Sequence, residues 1–211
     1  ANIGTTITSW IVSSADFLKT DTLAPIAVFI GAAMILFGKK TKTHQIGEII
    51  IGFGVLFIGI SMMTKGVKPL SELDGFKVAF RECGKNPVLG VLVGAGVTAL
   101  IQSSSASVGI LIALAANGFV TLDAAVYIIM GQNIGTCATA LLSSVGASKN
   151  AKGAAYIHLL FNVIGSVIFS ILAVVFFKCY PKIGAIEINP FIISLVHSGF
   201  NVANTFFMFP F

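Results

Sequence analysis

Residues 86–120 read NPVLGVLVGAGVTALIQSSSASVGILIALAANGFV, two apolar arms joined by the polar tip Gln102-Ser103-Ser104-Ser105. Each arm has about 15 residues, or roughly 22 Å as an α-helix. That length is shorter than the hydrocarbon core of a bilayer, which is about 30 Å thick. One continuous helix would instead place four hydrogen-bonding side chains at mid-membrane, facing every direction. We therefore predict a re-entrant helical hairpin over residues 86–120, with the four polar residues at its tip.

The composition around this segment is that of an integral membrane protein. Of 211 residues, 56% are hydrophobic and only 10% are charged, whereas a soluble domain carries about 25% charged residues. This excludes a soluble globular domain, a disordered chain and a secreted disulfide scaffold. The net charge of +5 comes from lysines and arginines in short connectors, where membrane proteins place them, so we expect no nucleic-acid partner. The class predicted is an all-α polytopic membrane protein.

Other apolar segments predict the remaining helices. They are Leu23–Phe37, Ile46–Met63, Ala151–Phe177 and Pro190–Phe211. Ser71–Glu82 mixes apolar and charged residues in a pattern that favours an amphipathic helix at the membrane interface, with a solvated loop as the alternative. The three cysteines lie far apart without metal-ligand spacing and are interpreted as packing residues.

The segment Leu122–Val145 is long enough to cross a bilayer but contains Gly131-Gln132-Asn133-Ile134-Gly135-Thr136. Because glycine, asparagine and threonine are poor helix formers, we predict a broken helix over 121–146 with an unwound centre at 131–136. Asp123 follows Thr121 at the start of this helix and is interpreted as an acid that caps the first turn, with an ion ligand as the alternative.

An internal repeat links the beginning of the chain to this broken helix. Residues 2–8, NIGTTIT, match residues 133–139, NIGTCAT, at five of seven positions. Duplicated halves with interrupted apolar segments are typical of inverted-repeat secondary transporters, whose binding site lies where the interruptions meet. By the same spacing, the first copy of the polar tip would lie before Ala1, so we expect an upstream first-repeat segment.

The tip offers three hydroxyls and one carboxamide, which can donate to an oxyanion or bind sodium through oxygen. The second arm would begin at the tip, and its free N–H groups and dipole would also favour an anion. Residues 86–122 contain no charged side chain, so an anion site here would use no lysine or arginine. The alternative is that the serines only pack helices together.

Two His/Asn pairs stand four residues apart within the last apolar segments: His158 with Asn162, and His197 with Asn201. This spacing puts both groups on one helix face. Intramembrane ionisable groups indicate function by default, but a neutral histidine bonded to a neighbouring helix explains the pattern equally well. No carboxylate or thiolate shares these faces, so a metal site is not expected.

Together these residues resemble the sodium-dependent phosphate cotransporter family, which includes bacterial proteins and the animal type II cotransporters. The resemblance is carried by Asn86-Pro87, Gly90, Gly94, Thr98 and the polar tip, by residues 131–136, and by the two His-x-x-Phe-Asn segments, 158–162 and 197–201. It implies an inverted-repeat fold and sodium-coupled transport of inorganic phosphate by alternating access. Sodium would be a co-substrate, and neither an enzymatic activity nor another cofactor is implied.

The same resemblance implies the residues that contact phosphate and sodium. They are Gln102, Ser103, Ser104 and Ser105 of the tip, Asn133, Gly135 and Thr136 of the second copy, and Asn2, Gly4 and Thr5 of the first copy. His158, Asn162, His197 and Asn201 would be supporting polar residues.

We divide the chain into residues 1–85, the end of the first repeat with connecting and interfacial helices; 86–148, the core of the second repeat; and 149–211, two C-terminal spans. We expect a multi-pass protein of the cell membrane, the inner membrane in a bacterium, and a homo-oligomer is compatible with this. Alternatives are another oxyanion or coupling ion, a non-transporting scaffold, and an intramembrane serine hydrolase using Ser103 or Ser104 with His158 or His197.

Overall fold

A computed structural model describes residues 2–14, 20–67, 69 and 74–210. The described residues form helices joined by short connectors. These helices are α1 Asn2–Ser13, α2 Thr20–Phe37, α3 Thr41–Val67, α4 Asp74–Lys85, α5 Pro87–Ile101, α6 Ser104–Ala116, α7 Leu122–Gly135, α8 Cys137–Ser143, α9 Lys149–Cys179, α10 Pro181–Gly184 and α11 Pro190–Met208. The predicted all-α class is therefore confirmed for the described residues. The predicted interfacial helix corresponds to α4, and residues 71–73 lie outside the described ranges.

Four helical segments in the described ranges are long and apolar enough to cross a membrane. They are Thr41–Met63, Leu122–Ser143, Lys149–Cys179 and Pro190–Met208. Large apolar side chains remain exposed on the outside of the helices, for example Phe29 at 75%, Leu100 at 85% and Phe206 at 78%. Such a surface suits lipid and not water, so the structure supports the assignment to a membrane protein.

The chain turns back on itself at Gln102, which adopts a left-handed backbone conformation (φ 58°, ψ 22°) between α5 and α6. Ser103 caps α6, because its hydroxyl accepts a hydrogen bond from the Ala106 N–H at 3.2 Å. Below the turn, Thr98 Oγ1 donates to Ser107 Oγ at 2.8 Å. In a straight helix these residues would be separated by about 13 Å along the axis. Residues 86–120 are therefore two helices joined by a tight turn.

The predicted unwound centre at 131–136 is wrong for most of its length. Helix α7 continues through Gly135, and the helical assignment is interrupted only at Thr136, before α8. The glycines serve close packing instead, because a Cβ at Gly131 would fall on the carbonyl oxygen of Val91 in α5. A Cβ at Gly135 would lie 2.5 Å from the Ala95 oxygen. Small residues let the two helix backbones approach closely, and this contact outweighs their low helix propensity.

The two helices of the hairpin differ in burial, because α5 keeps one face exposed, with Leu100 85% exposed. Helix α6 is largely buried and forms the core with α7, through Val108, Leu111, Ile128 and other apolar side chains. Helix α5 packs closely on α7, α1 packs on α11 and α6, and α2 pairs with α3. The entry to α7 is held by the segment after α10, because Leu122 N donates to Ile186 O and Ile188 N donates to Val120 O, each at 3.0 Å.

Candidate functional site

The polar tip lies where α5 ends and α6 begins. Gln102 is exposed, and Ser103, Ser104 and Ser105 are half-buried. Because Ser103 is the N-cap, Ser104 and Ser105 form the first turn of α6, where backbone N–H groups lack helical partners and the helix dipole is positive. The tip therefore combines hydroxyl groups with a helix N-terminus, as the sequence predicted.

The first copy of the repeated motif begins α1 and reaches this tip. Ser105 Oγ donates to Thr8 Oγ1 at 3.4 Å, which joins the tip to the first copy. Thr5 Oγ1 donates to the Asn2 backbone oxygen at 2.7 Å. Gly4 is exposed, with no atom within 4 Å of the position where a Cβ would stand.

The second copy lies inside α7 and at its end, with its polar groups bonded to helix backbone. Asn133 is buried and its amide donates to Ile129 O at 2.9 Å. Thr136 Oγ1 donates to Gln132 O at 2.8 Å. Gly135 is buried against α5. The second copy thus offers fewer free polar groups in this conformation than the unwound segment that we predicted.

A chain of hydrogen bonds nevertheless connects the two copies through α9. Asn2 Nδ2 donates to Asn162 Oδ1 at 2.7 Å, and the side-chain oxygen Asn2 Oδ1 lies 3.3 Å from His158 Nε2. Asn162 Nδ2 donates to Cys137 Sγ at 3.3 Å, and the Cys137 thiol donates to Asn133 O at 3.7 Å. His158 and Asn162 therefore lie between the two copies, next to residues predicted to bind the substrate.

His197 and Asn201 lie on α11, where His197 approaches α1 and Asn201 bonds within its own helix. His197 Nδ1 is 3.4 Å from Ser9 Oγ, and Asn201 Nδ2 donates to the His197 backbone oxygen at 2.9 Å. The hydrolase alternative requires a histidine hydrogen-bonded to Ser103 or Ser104. In the described structure the histidines of α9 and α11 pair with Asn2 and Ser9 instead, so that alternative has no geometric support.

Sequence reasoning missed a polar network just below the tip of the hairpin. Ser107 Oγ accepts hydrogen bonds from Thr98 Oγ1 and, at 3.0 Å, from Gln132 Nε2, so the network joins α5, α6 and α7. All three residues are buried. The spacing of Gly90, Gly94 and Thr98 was the available signal, since residues four apart line one helix face.

Charge plays little part in the site. Between Lys85 and Lys149 the chain has one charged side chain, Asp123. Its Oδ1 accepts hydrogen bonds from Thr121 Oγ1 at 2.5 Å and from Ala124 N at 2.7 Å, as the capping interpretation predicted. The described residues contain no group of three His, Cys, Asp or Glu side chains placed to hold a metal ion. Any ion here would be bound by uncharged groups.

Comparison with known proteins identifies what the chain resembles. Residues 1–65 and 59–186 match the family model described as Na+/Pi-cotransporter. The chain is 31% identical over 164 residues to "Uncharacterized protein YqeW" of Bacillus subtilis, covering 78% of this chain and 52% of that protein. It is 28% identical over 168 residues to "Putative inorganic phosphate export protein YjbB" of Escherichia coli, covering 80% of this chain and 30% of that protein.

An animal protein also matches. Over 110 residues the chain is 36% identical to "Sodium-dependent phosphate transport protein 2A" of Rattus norvegicus, which covers 46% of this chain and 17% of that protein. The chain thus spans about half or less of the length of these relatives. No solved structure gives a significant match.

Proposed function

This chain belongs to the Na+/Pi-cotransporter family, and from that premise we propose that it takes part in sodium-coupled transport of inorganic phosphate across a membrane. The family is one of transporters and not of enzymes. Its relatives include one named for inorganic phosphate export and one named for sodium-dependent phosphate transport. Because the chain covers only part of these proteins, the substrate, the coupling ion and the direction belong to the proposal.

Phosphate binds at the tip in this proposal. The hydroxyls of Ser103, Ser104 and Ser105 and the free N–H groups of the first turn of α6 donate hydrogen bonds to its oxygens. Gln102 adds a carboxamide at the left-handed turn. The observation that carries the assignment is the hydrogen bond from Ser105 to Thr8, which brings the first motif copy to the tip.

Sodium enters the proposal through the remaining oxygen groups. Asn2, Gly4, Thr5, Asn133, Gly135 and Thr136 supply carbonyl, carboxamide or hydroxyl oxygens around the two motif copies. A cation near a phosphate at low dielectric lowers the energy of both ions, so the binding of one favours the binding of the other. Asn162 and His158 support this arrangement because they hydrogen-bond or approach Asn2.

The architecture in this proposal is an inverted repeat whose hairpin, α5 and α6, is re-entrant. Transport proceeds by alternating access as one repeat moves against the other. The short arms, the turn at Gln102 and the repeated Asn-Ile-Gly-Thr motif support it. The interruption of α7 and α8 at Thr136 is the point at which the helix would open.

The test is radiolabelled phosphate flux in proteoliposomes that contain the full-length protein carrying this sequence. An inward sodium gradient should drive phosphate flux into the vesicles, whereas an equal choline gradient should not. Reversing the sodium gradient tests phosphate export. Ser104→Ala and Gln102→Ala should each lower the flux at limiting phosphate about tenfold or more, since a hydrogen bond to a charged group contributes about 1.5–3 kcal/mol. Ser144→Ala is the matched control, because Ser144 is also half-buried but donates to the Leu141 backbone oxygen. Full activity in both tip variants would refute the proposal.

A second candidate is the same transporter with another tetrahedral oxyanion. The neutral donors of the tip favour any anion of that shape and do not select phosphate by charge. Competition of phosphate flux by arsenate and by sulfate, with and without sodium, separates these substrates. If sulfate inhibits phosphate flux at concentrations similar to those at which unlabelled phosphate does, the site is a general oxyanion site.

A further inference from the structure

Helix α11 carries a buried polar face that the phosphate site does not use. Its members are Ser194, His197, Asn201 and Asn204, each at most 3% exposed. They recur every three or four residues, so they share one side of the helix. Pro190–Met208 is also a candidate membrane span. It contains no Asp, Glu, Lys or Arg, and His197 is its one histidine. A neutral polar face is thus enclosed inside an apolar helix bundle.

Two oxygens of this face have no hydrogen-bond partner in the part of the chain that the structure describes: Asn201 Oδ1 and Asn204 Oδ1. The orientation of both carboxamides is determined by their other ends. Asn201 Nδ2 donates to His197 O at 2.9 Å, and Asn204 Nδ2 donates to Phe161 O at 3.4 Å. Since a backbone carbonyl can only accept, neither amide can be turned around without losing this bond.

Buried acceptors without partners are rare, and each costs about 1–3 kcal/mol. A guest that satisfies them must be a hydrogen-bond donor or a cation. Asn201 and Asn204 are separated by one helical turn, which places their Cβ atoms about 5–6 Å apart. The two side chains are therefore neighbours on the surface of the helix.

The packing around Asn204 is close on the side of α9. At Gly165 of α9, an added Cβ would overlap the Oδ1, Cγ and Nδ2 atoms of Asn204. Helices α9 and α11 are thus as close here as a glycine permits. A dehydrated sodium ion is smaller than a water molecule and prefers oxygen ligands of this kind.

We propose that Asn201 and Asn204 bind a sodium ion between α11 and α9, at residues distinct from those of the polar tip. The inference rests on the proposed sodium-coupled function, which it deepens by adding a cation site on α11. Neutral carboxamide ligands suit a transported ion, because they bind it without the strong attraction of a carboxylate and so allow its release.

Sodium binding is measured first without phosphate, as the shift in thermal unfolding of the full-length protein when choline chloride is replaced by sodium chloride at constant ionic strength. A ligand that binds the folded state raises its stability with concentration. Asn204→Leu should raise the sodium concentration for a half-maximal shift about tenfold or more. Thr205→Val is the matched control on the next residue, because Thr205 Oγ1 donates to the Asn201 backbone oxygen and not to a carboxamide oxygen. An equal sodium response in Asn204→Leu and wild type would overturn the proposal.

A second variant tests the site if Asn204→Leu folds poorly. Asn201→Asp keeps the Oδ1 oxygen, replaces the amide nitrogen with a second oxygen and adds a buried negative charge, which is costly unless a cation pairs with it. Sodium should therefore raise the unfolding temperature of Asn201→Asp more than that of wild type. Equal destabilisation in sodium and in choline would overturn the proposal and indicate a water site. Sodium-driven phosphate flux with an unchanged sodium response in both variants would refute this site alone. If the wild-type protein shows no sodium-driven phosphate flux but sodium still raises its unfolding temperature, the proposed function alone would be refuted.

Discussion

The two His-x-x-Phe-Asn segments of this chain have the same sequence pattern but different surroundings. Asn162 in α9 and Asn201 in α11 are both fully buried, and both donate to the backbone oxygen of the histidine four residues before them. The Asn162 oxygen accepts a hydrogen bond from Asn2, whereas the Asn201 oxygen has no partner in the described structure. One carboxamide therefore completes a link between helices, and the other leaves an acceptor available to a ligand. The difference arises from what packs against each helix and not from the motif.

Glycine substitutions on α9 should give the largest change in stability. Gly165→Ala places a methyl group on the Asn204 side chain, whereas Gly153→Ala points into open space. Overpacking costs about 1–3 kcal/mol, while alanine gains roughly 0.5–1 kcal/mol over glycine in a helix interior. Thermal unfolding in detergent should therefore show Gly165→Ala destabilised and Gly153→Ala stabilised. Equal stabilities would contradict the close contact of α9 with α11.

The two asparagines should respond differently to removal of their polar groups. Asn162→Leu removes the acceptor of the Asn2 amide and the donor to the Cys137 sulfur, whereas Asn201→Leu removes an oxygen that already lacks a partner in the described structure. In sodium-free buffer we expect Asn162→Leu to lose about 1–3 kcal/mol more stability than Asn201→Leu. Comparable losses in denaturant titrations would show that the two environments are equivalent.

The contact of α1 with α11 can be followed through Trp10, the single tryptophan of the chain. Its Nε1 donates to Ser198 Oγ at 2.7 Å, and its ring packs edge-on against Phe191 with centroids 5.1 Å apart. Ser198→Ala should cost about 0.5–1.5 kcal/mol and shift the tryptophan emission. Ser170→Ala on α9 provides the control, and an unchanged emission in Ser198→Ala would argue against this contact.

The smallest expected effect is on thiol labelling. Cys179 is exposed, whereas Cys83 and Cys137 are buried. Burial, and then the charge of Glu82, raise the pKa of the Cys83 thiol, so less of it is the reactive thiolate at neutral pH. Maleimide should label Cys179 first, and the rate at Cys83 should increase as the pH rises above neutral.

The same labelling extends the comparison of the two asparagines. Asn162→Leu should slow the labelling of Cys137 further, because it removes the amide that donates to that sulfur and so favours the reactive thiolate. Asn201→Leu should not. Rapid labelling of Cys137 in wild type would contradict its burial.

Several features could be predicted from the sequence because their causes are local. Four consecutive polar residues between short apolar arms predicted the turn at Gln102, and Thr121 followed by Asp123 predicted a capped helix start. Each of these depends on neighbours in the chain. The membrane class followed from composition, since a surface with so few charges does not suit water.

The state of residues 131–135 could not be predicted in the same way. Glycine has a low helix propensity, but its effect at Gly131 depends on Val91 of a different helix. Likewise, nothing within residues 197–201 distinguishes Asn201 from Asn162. The partner of Asn162 is Asn2, 160 residues away, and only the folded chain shows which carboxamide has such a partner.

The central claim, that the tip at Gln102–Ser105 binds phosphate, is tested most directly by protection of an introduced thiol. Ser104→Cys in a Cys179→Ser background would be modified with a small methanethiosulfonate reagent, with Ser144→Cys as the control. We predict that phosphate together with sodium slows modification at position 104 and leaves position 144 unchanged. An equal rate at position 104 with and without phosphate would contradict the account.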